Sequence, residues 1–172
     1  MGKGMIRAVQ ESPARAPGLA FVLSFVLAGA GGSCAHPNFF PGTTILRTQE
    51  NQEIVDTIDL YRQRLTQRNI EALLVMASQK YREDSGTPRS DDDYGYDGLR
   101  EVLRTRLTRL KSIWYEIDLR DIHVEGKVAE VDVFLNGSFE LAARDDRYRR
   151  VNDYHRFVLE REGDKWKFVS GM

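Results

Sequence analysis

The chain has 172 residues, with 25 Lys+Arg against 26 Asp+Glu, one Cys and three His. That length suits one domain. A single Cys excludes an internal disulfide framework or a multi-Cys zinc site, a formal charge of −1 gives no electrostatic footprint for nucleic acid, and 41% hydrophobic residues are too many for a disordered chain.

The first segment in chain order is a targeting sequence. Lys3, Arg7 and Arg15 precede an apolar stretch from Leu19 to Ala30, whose 12 residues suit a signal core and fall short of a membrane span. Met5 is a second candidate start. Gly31, Gly32 and Ser33 lead into Cys34. This arrangement resembles a bacterial lipoprotein signal, in which a peptidase cuts before a lipidated Cys. The resemblance implies a signal peptide over residues 1–33 and palmitate-type acyl chains on Cys34. The membrane is then a partner through that anchor, and the domain stands in the periplasm. The alternative is an ordinary secretory signal with an incidental Cys. His36 is not the Asp associated with inner-membrane retention in enteric bacteria, so the resemblance favours the outer membrane. Cleavage there leaves 139 residues with a net charge of −3.

Residues 34–47 read as a tether, with Pro37, Pro41 and Gly42 blocking regular structure. Phe39 and Phe40 either pack back on the domain or dip into lipid. Helical periodicity opens the domain proper, residues 48–172. Thr48 N-caps a helix to about Arg68, with Ile54, Val55, Ile58, Tyr61 and Leu65 on one stripe. Asn69 caps a shorter helix carrying Ile70, Leu73, Leu74 and Ala77. A short strand is expected at residues 80–83, a break at Ser85 to Pro88, and an acidic loop at Asp91-Asp92-Asp93. Asp97 is expected to cap a third helix that turns Leu99, Val102, Leu103, Leu107 and Leu110 inward.

From Ile113 the period changes to two. Ile113, Tyr115, Ile117 and Leu119 alternate with polar neighbours, and the apolar phase resumes at Ile122, which predicts a bulge near Arg120-Asp121. Glu125-Gly126-Lys127 is a turn. Ala129, Val131, Val133 and Leu135 lead the next strand, with a second bulge expected at Asn136-Gly137. Arg144 to Arg150 reads as a hairpin tip, Asp153 to Arg161 as a strand, and Lys165 to Ser170 as the last strand after Gly163-Asp164. The fold class is therefore α+β: three N-terminal helices on the concave face of a curved antiparallel sheet of about four main strands. The outward phase carries Glu116, Asp118, Arg120, Glu130, Asp132, Arg156 and Glu160. Stacking two such faces would bury many charges, so a monomer is expected.

This order resembles the nuclear transport factor 2-like superfamily, which includes ketosteroid isomerases, limonene epoxide hydrolase and SnoaL-like cyclases. The run from Tyr61 to Leu74 looks like its first-helix signature, and Trp166-Lys167-Phe168 after a Gly-Asp turn is typical of its close. Asp84-Ser85-Gly86-Thr87 and the final Phe168 to Met172 resemble a group of myxobacterial lipoproteins with no known activity. Carried over from the isomerases, the resemblance implies Tyr61 as oxyanion donor, Asp84 as general base and Asp153 as a second acid. Ser85 stands where the isomerases have Pro. In the cone that the resemblance implies, the pocket lining is Tyr61, Tyr81, Tyr115, His155, Phe157 and Trp166.

Three readings follow. An isomerase- or cyclase-like enzyme needs Asp84 and Tyr61 together in an open cavity. A binder without turnover takes a small apolar ligand in the cone or an envelope protein on its rim, and is favoured. A structural module fills the cone with aromatic side chains. The scattered His36, His123 and His155 predict no metal site, Asp91 to Asp93 with Asp97 lack calcium-loop spacing, and no phosphate loop or nucleophile elbow implies a cofactor or nucleophile.

Overall fold

The computed structural model describes residues 38–84, 93–142 and 148–172. The expected lipidation at Cys34, the expected signal segment, the expected break at Ser85 to Pro88, Asp91-Asp92 and most of the expected hairpin tip lie outside them. Helix α1 spans Gln49–Thr66, and Thr48 Oγ1 accepts from the Asn51 amide at 3.1 Å. Helix α2 spans Ile70–Met76, with Asn69 Oδ1 accepting from the Ala72 amide at 3.1 Å. Both caps satisfy amides that a helix start leaves free.

Helix α3, Tyr96–Leu107, starts differently from the expectation. Its N-cap is Gly95, with no side-chain cap, and Asp97 sits in the first turn, where its charge complements the helix dipole. Two short strands explain the shift. β1 (Arg82–Glu83) pairs with β2 (Tyr94–Gly95) and delivers the chain straight into the helix. Gly98 is required there, because a Cβ would stand 2.5 Å from the Tyr94 Cβ. Leu99, Leu103 and Leu107 are buried, whereas Leu110 belongs to the next strand.

The main sheet is a meander of β3 (Leu110–Glu125), β4 (Val128–Leu141), β5 (Tyr148–Glu162) and β6 (Lys165–Ser170), in that spatial order and antiparallel throughout. The predicted bulge appears as a register shift between Leu119 and Asp121. The second bulge does not form: Asn136 and Gly137 pair in register with Glu116 and Tyr115 on one side and with Asn152 and Val151 on the other. Gly137 serves another purpose, since a Cβ would lie 2.8 Å from the Tyr115 ring. It clears a path for an aromatic side chain on the neighbouring strand.

One face of the sheet is dry. Ala129, Val131, Val133, Phe157, Leu159 and Phe168 are wholly buried beneath Ile54, Ile58, Tyr61 and Leu65 of α1 and the leucines of α2 and α3. The opposite face is solvated, as its charge pattern predicts. Arg156 donates to Asp132 at 2.6 and 2.9 Å and to Glu130 at 2.8 Å. That face also carries aromatic surface: Trp114 is 48% and Tyr154 75% exposed, and Phe134 meets Tyr154 edge-on at 5.2 Å.

The described part of the stretch expected as a tether is folded: residues 38–47 close a small ribbon in which Phe39 bridges Leu46 antiparallel. Phe40 and Ile45 are buried. Of the two fates open to Phe39 and Phe40, Phe40 takes the first.

Candidate functional site

The cone's interior is built from α1 and the last two strands. Tyr61 lies on the buried stripe of α1, with its ring 5.4 Å from Phe157 and 5.2 Å from Phe168, which themselves meet at 5.5 Å. These rings fill the floor against one another. Burial pushes the Tyr61 phenol well above its ordinary value, with the phenols of Tyr115 and Tyr94 adding to the effect. Burial also raises Tyr115.

The acids expected to work with Tyr61 stand elsewhere. Asp84 is exposed after β1, and Asp153 is exposed on β5 opposite Leu135. The carboxylate that turns inward from this stretch is Glu83, which the sequence reading passed over. Consecutive residues of an extended chain point to opposite sides, so only one of the Glu83-Asp84 pair can face the core. The pairing of Glu83 with Tyr94 decides which. The β1–β2 pairing spans a loop, and sequence periodicity carries no signal for it.

Glu83 belongs to a latch on the end of the chain. The Tyr81 hydroxyl donates to Glu83 Oε2 at 2.8 Å, the Gly171 amide donates to the same oxygen at 2.8 Å, and the Met172 amide donates to the Tyr81 hydroxyl at 2.9 Å. His155 Nε2 lies 2.6 Å from the Gly171 carbonyl, which can only accept, so this nitrogen carries the proton. Burial raises the Tyr81 phenol, and the Glu83 charge raises it further. Tyr94 stacks on Tyr81 at 6.3 Å. Tyr81 and His155, expected to line a pocket, thus hold the last two residues. Trp166 is likewise structural: it is buried, and the Arg161 guanidinium lies 4.6 Å over its ring. Its indole Nε1 is buried without a hydrogen-bond partner.

Two cavities lie along β3 instead. One, of about 350 Å³, opens between the 40–43 turn and Ile117, Asp118, Leu119 and Arg120. The other, of about 200 Å³, lies under α1 between Val55, Ile58, Asp59, Arg62 and the same Ile117 and Leu119. They share Ile117 and Leu119 and are of mixed character: apolar side chains line both, while Asp59 and Arg62 pair at 2.8 Å and Arg120 approaches Asp118 at 3.7 Å. The Arg62 hydrogen bond holds the Asp59 carboxyl below its ordinary range. None of the six expected pocket residues lines either cavity. Half-buried Ile117 and Leu119 were legible as inward positions. The turn at residues 40–43 that faces them across the larger cavity is something periodicity does not reveal. Among the described residues no cluster of His, Asp and Glu is gathered as a metal ion would need.

No family model and no curated protein matches the chain. Solved structures do. A candidate scytalone dehydratase from Novosphingobium aromaticivorans is 13% identical with a TM-score of 0.63, covering 71% of this chain and 80% of its own. A ketosteroid isomerase-like protein from Erwinia carotovora atroseptica is 17% identical at 0.58, covering 72% and 94%. A candidate dehydratase of the nuclear transport factor 2-like family from Streptomyces avermitilis is 15% identical at 0.57, covering 71% and 93%. At these identities the likeness establishes the fold. The three helices packed on a curved four-stranded antiparallel sheet are the nuclear transport factor 2-like cone.

Proposed function

We propose that the chain is a lipid-anchored cell-envelope protein, monomeric and held at the outer membrane through Cys34, whose cone domain binds a small apolar ligand without turning it over. One observation supports the absence of turnover. Tyr61 is buried among rings while Asp84 and Asp153, the two acids expected to work with it, are exposed, and general acid–base chemistry requires acid and base within reach of one substrate.

Binding falls to the groove along β3. Apolar walls with a few polar groups at the margin are the usual make-up of a small-ligand site, and Ile117 and Leu119 join its two cavities. The ligand this favours is a slender hydrophobic body with one polar end near Arg120 or the Asp59–Arg62 pair.

Native mass spectrometry of protein purified from its own host tests the binding. A bound small molecule that disappears in Leu119→Trp, which fills the groove, and persists in Asp84→Asn is the expected result. A bare mass in repeated preparations overturns it. For the anchor, Cys34→Ala is expected to release the protein from membranes and abolish labelling by a fatty-acid probe; unchanged fractionation sinks the lipidation.

A further inference from the structure

We infer that the ribbon of residues 39–46 is the domain's docking surface on the lipid bilayer, a step that rests on the proposed lipidation of Cys34. The ribbon has two unlike sides. Phe40 and Ile45 turn inward and are 5% and 6% exposed, while the bridged pair Phe39 and Leu46 turn outward and are 42% and 48% exposed. Directly paired residues of an antiparallel bridge share a side, so two large apolar side chains are presented together, away from the core.

The ribbon is also stiff. The Phe40 amide donates to the Ile45 carbonyl at 3.0 Å, the Arg47 amide to the Asn38 carbonyl at 2.7 Å, and Thr43 Oγ1 to the Phe40 carbonyl at 3.0 Å. Its backbone groups are therefore largely satisfied before any contact with lipid, which removes the main cost of entering an apolar layer. Exposed Arg47 follows Leu46 directly in the chain, and its guanidinium lies 4.9 Å over the ring of inward-turned Phe40, so a cation flanks the ribbon. That order of apolar tip and basic flank suits an interface with anionic headgroups.

Chain length fixes the occupant. Four residues, Ala35 to Asn38, separate Cys34 from Phe39. Fully extended, that stretch reaches about 18 Å, comparable to a headgroup layer with its adjoining water. An anchored Cys34 keeps Phe39 and Leu46 at the membrane surface continuously. The other large exposed side chains, such as Val75 and Tyr154, have no such constraint.

The test uses the full, lipidated chain. Acylated Cys34 has no free thiol, so an environment-sensitive fluorophore attached to Leu46→Cys reports that site alone, with Phe39→Cys as a second reporter and Val75→Cys as the reference. In vesicles of phosphatidylethanolamine and phosphatidylglycerol, probes at 46 and 39 are expected to shift to the blue, to be quenched by doxyl-labelled lipid and to resist aqueous iodide. The probe at 75 is expected to do the reverse. Probes at 46 and 39 that behave like the one at 75, in protein carrying the fatty acid on Cys34, overturn the docking and leave the anchor standing. A chain without fatty acid overturns both.

Discussion

Gly171 sets the terms for the end of the chain. Its φ of +91° lies in the region that favours glycine, and a Cβ would stand 2.4 Å from the Arg156 carbonyl oxygen and 3.1 Å from His155 Nε2. Gly171→Ala is therefore expected to cost about 2 kcal/mol or more, through strain and the loosened latch; a urea midpoint equal to that of the parent would show that the latch carries no stability. Glu83 makes a second point at this scale. Glu83→Gln keeps an oxygen acceptor for the Gly171 amide but gives up the charge that strengthens both hydrogen bonds. It is expected to destabilise by about 1 kcal/mol. Neither residue was legible as part of a site. Sequence shows which positions alternate, and it does not show which of two adjacent acids meets a turn closing 88 positions later.

Elements were far more legible than contacts. The stripe from Ile54 to Leu65 and the alternation from Ile113 onward place helix α1 and strand β3, because apolar spacing and burial are one constraint seen twice. Thr48 and Asn69 fill the caps their residue types predict. Helix α2 has only seven residues, too short to persist without its cap and its packing, so Asn69→Ala is expected to cost about 1 kcal/mol. Amide exchange confined to residues 70–76 should rise with it; unchanged exchange would place the stability of α2 in packing alone. Where sequence reading failed, the cause was tertiary. Asp97 lost the cap position to Gly95 because β1–β2 pairing fixes the entry to α3, and Asn136-Gly137 stays regular because the Tyr115 ring needs the room.

For the molecule as a whole, the filled floor has a consequence for pH. Tyr61, Tyr81 and Tyr115 are buried, and burial lifts all three phenols above the ordinary tyrosine value of 10.0. The unfolded chain releases those protons near pH 10 while the folded one holds them, so stability is fully present below about pH 10 and declines as pH rises above it. The expected signature is tyrosinate absorbance from these three appearing together with the loss of near-ultraviolet dichroism; smooth titration of all tyrosines with the fold intact would contradict the sealed interior. The cone itself could be anticipated, because helices followed by a long-stranded meander leave few ways to bury one sheet face. The groove could not, since it arises where a ribbon from before the first helix meets a strand about seventy-five residues later.

Strand β3 has a further consequence. Sixteen residues long, it has β4 on one flank and, among the described residues, no strand on the other. A sheet border of that length invites a neighbouring molecule to add itself as a further strand. The dislocation between Leu119 and Asp121 breaks the regular spacing of that border, and Lys111, Glu116 and Arg120 put charge along it. Neighbouring copies are expected to be kept from adding to one another strand by strand along that border.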